Sequence, residues 1–121
     1  MYTAYVLTED VKQQLLSAFP PIYDTVVAHH ITVQFGVDKD APPPDKATIK
    51  VVGHVDSEDG LQVLVCSVNG TTSRGDGSLW HITWSLDDTK YKPVDSNALL
   101  KKKIYNLSVP IQIDTVPAVL G

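Results

Sequence analysis

Apolar and polar residues alternate through most of this chain with the two-residue period of half-buried strands, and only two stretches break into helical spacing. "YTAYVL" (2–7) is rich in aromatic and β-branched residues and predicts a strand. "TEDVKQQLLSAF" follows, with Thr8 as an N-cap, acids in the first turn, and Val11, Leu15 and Phe19 on one face, so the spacing predicts a helix over about 9–19. Pro20 and Pro21 stop it. Further strands are predicted at about 28–35, 47–56, 61–68 and 80–87, the middle pair joined as a hairpin by "SEDG". "DSNALLKKK" (95–103) reads as a short second helix, and "IYNLSVPIQI" as a final strand whose Pro110 favours a sheet edge. The segment "GVDKDAPPPDKA" is a loop stiffened by prolines, and "NGTTSRGDGS" a loop left mobile by its glycines. The order is βα, several strands, then αβ, which predicts an α+β architecture with helices packed on antiparallel sheets.

Composition narrows the class. The chain has 121 residues, 43% hydrophobic and 20% charged, which fits one domain over 1–121 burying its own core. A net charge of −4 argues against a long nucleic-acid duplex as partner, while a small anion in a local pocket stays open. The single Cys66 has no internal disulfide partner and lies in the apolar run "LQVLVCSV", where a buried, inert thiol is expected. The sequence shows neither a signal-peptide pattern nor an apolar run near the ~20 residues of a membrane span, so no membrane partner and a cytoplasmic location are expected.

Two of the four histidines stand in front of the same Ile-Thr pair, in "HHITVQFG" (29–36) and "WHITWSL" (80–86). Strand alternation puts His30, Thr32 and Gln34 on one face, with Ile31, Val33 and Phe35 on the other. In the second stretch His81, Thr83, Ser85 and Asp87 oppose Trp80, Ile82, Trp84 and Leu86. His and Thr at i and i+2 stand ~6.6–7 Å apart along a strand face, close enough to reach different atoms of one phosphate. One such copy is ordinarily a half-exposed histidine beside a good strand residue, but composition makes two copies improbable. Facing imidazoles can supply a base and an acid near neutrality, and threonine hydroxyls can donate to non-bridging oxygens as charge develops. No metal or other cofactor is called for by that arrangement.

The paired segments "HITV" (30–33) and "HITW" (81–84) resemble the two H-x-[ST]-x motifs of the 2H phosphoesterases. That family includes RNA 2′,3′-cyclic phosphodiesterases, 2′-5′ RNA ligase-like proteins and viral members that destroy nucleotide signals of host immunity. The resemblance implies a bilobed, pseudo-symmetric α+β fold with two short helices outside and a central cleft. It also implies His30 and His81 as the acid–base pair and Thr32 and Thr83 as phosphate-binding hydroxyls. The expected activity is metal-independent cleavage of a cyclic or 2′-linked phosphodiester in a small nucleotide. The alternatives are a non-catalytic nucleotide-binding module on the same fold, or processing of RNA ends. The spacing between the motifs is short for the family, which implies trimmed elements in the first lobe.

Other residues fall in place around this reading. Arg74, in the glycine-rich loop before the second motif, is a candidate to close on a phosphate. Tyr5 and Tyr105 are further candidate substrate contacts, together with Tyr2, because bases stack on aromatic rings. Trp80 and Trp84 are assigned to the core beneath the motifs. His29 is expected on the opposite strand face from His30, and His54 as an exposed strand residue. A four-histidine metal site lacks the ligand spacing such sites use. "KKK" (101–103) complements the end of the second helix.

Overall fold

The computed structural model describes residues 1–102 and 104–121. Its elements run β1 (Tyr2–Leu7), α1 (Glu9–Ala18), β2 (Thr25–Val26), β3 (His30–Phe35), β4 (Ile49–Asp56), β5 (Leu61–Val68), β6 (His81–Leu86), α2 (Ser96–Leu99), β7 (Tyr105–Ile113) and β8 (Thr115–Leu120). The strands form two antiparallel sheets, one ordered β3-β1-β8 and one β2-β6-β5-β4-β7. This is the expected α+β class, with two short helices.

Local signals explain most boundaries. Thr8 caps α1 by accepting from the Val11 amide through Oγ1, and Glu9 and Asp10 sit in its first turn, where acids favour the positive end of the dipole. Val11 and Leu15 are its buried stripe. The β4–β5 hairpin turns through residues 57–60, the Ser57 amide donating to the Leu61 carbonyl and its Oγ accepting from the Leu61 amide. Pro110 does lie on an edge strand, β7, whose register jumps from Ile111 opposite Val51 to Asn106 opposite Gly53. Residues 107–110 therefore stand out of the ladder, which leaves Pro110 with no hydrogen bond to forfeit.

The departures have physical causes. The second helix is shorter than 95–103: a 3₁₀ turn over Pro93–Asp95 leads into four α-helical residues, and Lys103 lies outside the described residues. Two strands escaped the sequence reading. The two-residue β2 is too short for any period, and β8, "TVPAVL", carries its own Pro117, tolerated on the outer edge of the three-stranded sheet. The loop 69–79 is pinned by bridges pairing Val68 with Thr71 and Ser73 with Leu79, and by Asp76 Oδ1 accepting from the Ser78 amide. Its glycines take the positive φ of tight turns instead of leaving it unstructured.

Two apolar clusters lie on opposite faces of the five-stranded sheet. The first joins Tyr5, Leu7 and Ile31 of the small sheet, Val11 and Leu15 of α1, and Ile49, Leu64, Cys66, Ile82 and Trp84 of the large one. The second packs Val55, Val63, Val65 and Leu86 against Leu99 and Leu100 around α2. Cys66 is fully buried and its thiol pKa is pushed up by burial, as expected of an inert core residue. Among the described residues no helix is long and apolar enough to cross a membrane.

Candidate functional site

The sequence echo becomes a structural one at a corner of the chain. Residues 25–28 run beside β6, where the amides of Val27 and Ala28 donate to the carbonyls of Trp84 and Thr83. Ala28 then takes a φ of 40°, a left-handed value unusual for a residue with a Cβ, and the strand leaves the large sheet to enter the small one as β3. His30 and Thr32 therefore emerge next to His81 and Thr83, and the four side chains line one pocket of about 350 Å³. Tyr2 and Phe35 of the small sheet also line it, as do Val27 and, from the α2 region, Pro93, Val94 and Asn97.

Both motif strands carry a β-bulge at the same motif position. The β1–β3 register steps from Ala4 opposite Thr32 to Thr3 opposite Gln34, leaving Val33 as the extra residue. The β5–β6 register steps from Val63 opposite Thr83 to Gln62 opposite Ser85, leaving Trp84 extra. Each bulge reverses the alternation beyond it. Phe35, expected in the core, thereby joins the face of Thr32; it is 62% exposed and packs near Tyr2, with ring centroids 5.8 Å apart. Leu86 likewise turns to the His81 side and enters the second cluster, while Ser85 turns inward and donates to Gln62 Oε1 at 2.6 Å. A two-residue period read from one sequence contains no mark for a bulge.

The two histidines are held differently. His81 Nδ1 lies 2.8 Å from the Leu79 carbonyl. A carbonyl only accepts, so Nδ1 carries the proton and the neutral ring keeps its lone pair on Nε2. Its pKa is lowered, first by burial and then by the Arg74 charge, against the opposing pull of the Leu79 carbonyl and Asp76. His30 is pushed down to about 4, by burial first and then by the neighbouring imidazoles of His29 and His81. Both shifts favour the neutral ring in the ligand-free protein, where the sequence reading allowed one to be charged. His29 departs from expectation too. It precedes β3 and follows the left-handed Ala28, so strand alternation does not govern it, and its Nδ1 sits 2.9 Å from His30 Nδ1.

The threonines also differ. Thr32 is half-buried, whereas Thr83 is buried and its hydroxyl pairs with Ser96 Oγ at 2.8 Å. Arg74 does reach the pocket, but as a mostly covered side chain of a pinned loop. Tyr5 and Tyr105 do not line it. Tyr5 pairs with Ile31, hence lies on the core face of β1, and its hydroxyl donates to the Asp45 carbonyl at 2.8 Å. Tyr105 stands on β7, separated from β6 by β5 and β4, opposite His54. Tyr2, on the alternate face of β1, is the tyrosine that meets His30, with ring centroids 5.2 Å apart. His54 is half-buried, stacks on Phe19, and accepts from the Gln62 amide, away from the pocket. Tyr2 and Asn97 come from segments distant from both motifs and Phe35 from the end of β3 itself; of the three, only Tyr2 was singled out by its aromatic ring, since the alternation assigned Phe35 to the core. Among the described residues no three His, Cys, Asp or Glu side chains gather as a metal-ligand group.

Compared with known proteins, the chain matches no family model, no curated protein and no solved structure.

Proposed function

We propose that the chain is a two-histidine phosphodiesterase of the 2H type, hydrolysing a cyclic or 2′-linked phosphodiester in a small nucleotide. The observation that carries this reading is the convergence of both His-x-Thr pairs, 51 positions apart in the numbering from His30 to His81, on one pocket. Matching bulges at Val33 and Trp84 support the further idea that the strands are pseudo-symmetric halves of a bilobed fold and that the pocket is its cleft.

Their hydrogen bonds suggest how the histidines divide the work. His81, with Nδ1–H held by Leu79, has Nε2 free to take a proton from water. The water oxygen bonds to phosphorus, the bond from phosphorus to a ribose oxygen breaks, and a proton from His30 goes to that leaving oxygen. His30 becomes the acid once an anionic ligand is bound, because a phosphate charge opposes the burial that holds its pKa down. In that state its Nδ1–H donates to His29, leaving Nε2–H for the substrate. Thr32 retains a hydroxyl for a non-bridging oxygen. Exposed Phe35 and half-buried Tyr2 offer a stacking surface for a base. The engaged hydroxyl of Thr83 favours, as a second reading, a module that binds a nucleotide without cleaving it.

Incubation with 2′,3′-cyclic and 3′,5′-cyclic mono-, di- and trinucleotides in EDTA tests both readings. Cleavage of at least one of them is expected, falling ~10²–10⁴-fold in His30→Gln and in His81→Gln. Tight binding with no product would replace the enzyme by the binding module. Undiminished cleavage by either variant would overturn the acid–base assignment.

A further inference from the structure

We propose that Arg74 is the charge partner of the phosphoryl group in this pocket, the residue that binds the anion and stabilises its developing charge. The inference rests on the phosphodiester reading above and adds to it a role that the His-x-Thr pairs do not fill.

Among the described residues that line the pocket, Arg74 alone bears a permanent charge. The two imidazoles have lowered pKa values, which favour the neutral rings before a ligand arrives. The Thr83 hydroxyl is already occupied by Ser96. A phosphodiester entering this space would otherwise exchange water for mostly apolar walls, a costly transfer for an anion without a cation or several donors beside it. Arg74 offers both, as a fixed charge and a planar fork of N–H groups matched to phosphate oxygens.

The side chain is held ready instead of swinging in from solvent. It is 9% exposed, although its backbone belongs to a surface loop. Its amide donates to the Ser78 carbonyl at 2.9 Å, and its guanidinium carbon lies 5.9 Å from the centre of the Trp80 ring, which packs on the first core. Its Nε is buried and has no hydrogen-bond partner in the protein. A buried donor left unmade is unfavourable, so the protein by itself does not fully satisfy this guanidinium. One contact opposes this, from Arg74 Nη2 to Asp76 Oδ2 at 3.3 Å. Asp76 is 56% exposed, and its other oxygen is committed to the Ser78 amide and hydroxyl. It is a solvated counter-charge that leaves most of the guanidinium's five donors uncommitted. Its presence tempers anion affinity without blocking the fork.

A purely structural arginine, clamping the 69–79 loop through Asp76 and Trp80, would make different predictions. Titration with inorganic phosphate, followed through the imidazole signals of His30 and His81 by NMR, reads anion binding independently of turnover. Arg74→Ala should raise the Kd at least tenfold, Arg74→Lys should recover part of that loss, and Asp76→Asn should lower the Kd. Asn keeps the acceptor for the Ser78 amide, so this last variant leaves the loop turn intact. Phosphate affinity within twofold of wild type in folded Arg74→Ala, no recovery at all in folded Arg74→Lys, or affinity weakened by Asp76→Asn, would overturn the proposal, as would wild type that binds no phosphate. Wild type that binds phosphate through Arg74 yet cleaves no phosphodiester would sink the enzyme reading alone. If cleavage occurs, Arg74→Ala should lower kcat about 10²–10³-fold, as expected for a lost donor to the transition state.

Discussion

The strands β3 and β6 carry the same three residues, His-Ile-Thr, into different surroundings. β6 is an inner strand of the large sheet, flanked by β2 and β5, with an apolar cluster on each face. β3 is the edge of the small sheet, paired on one side only. The consequence reaches every position of the motif. His81 is anchored to a backbone carbonyl while His30 leans on another imidazole; Thr83 is tied to Ser96 while Thr32 is half-open; and Trp84 is fully buried where Val33 is half-buried. One copy is committed to the fold as well as to the pocket, and the other mainly to the pocket. Identical local sequence therefore does not mean interchangeable roles.

The largest contrast is expected at the bulged position. Trp84 has 0% exposure and its indole Nε1 donates to the Phe19 carbonyl at 2.8 Å, so Trp84→Ala should cost ~3–5 kcal/mol in urea unfolding. Val33→Ala removes two methyl groups from a half-exposed site and should cost about 1 kcal/mol. Similar losses at the two sites would dissolve the distinction between an inner and an edge motif strand.

A crossed effect is expected at the threonines. Thr83→Val leaves the buried Ser96 hydroxyl without that partner and should destabilise by ~1–3 kcal/mol. Thr32→Val should stay within ~0.5 kcal/mol in stability yet lower phosphodiester cleavage by about 10²-fold, if its hydroxyl meets the phosphate. Thermal melts and initial rates on the same preparations separate the two. A Thr32 variant that melts early and keeps its turnover would reverse the assignment.

The smallest contrast lies in pH dependence. His30 has a folded pKa of about 4, below its ordinary value of 6.5, so between those values the unfolded chain binds more protons. Stability should therefore fall as pH drops from about 6.5 to about 4, and this contribution should be level above neutrality. His81 and His54 are shifted in the same direction. Urea midpoints at pH 7.5, 5.5 and 4.5 should show a shallower decline in His30→Gln than in wild type. An unchanged slope would place the titrating group elsewhere.

Much of the fold was legible because the signals were local. The cap at Thr8, the turn at residues 57–60, the edge strand with Pro110 and the buried Cys66 each depend on residues within a few positions of one another. Strand alternation also put His30 with Thr32 and His81 with Thr83 on shared faces, and all four side chains line the pocket. It misassigned Phe35, Ser85 and Leu86, because a single bulged residue inverts the count beyond it. Tyr5, offered as a possible substrate contact for its aromatic ring, lies on the face of Ile31 and belongs to the core.

By itself the sequence determined most of the strands and which side chains ahead of each bulge share a face, since both follow from a two-residue period and short-range turn chemistry. Only the tertiary structure decided that the two motifs share a pocket, that Thr83 is spoken for by Ser96, and that Arg74 joins His81 in lining that pocket. Those depend on the left-handed corner at Ala28 and on contacts between residues far apart in the chain. Such contacts are set by how two sheets bury their apolar faces together, a property of no single segment.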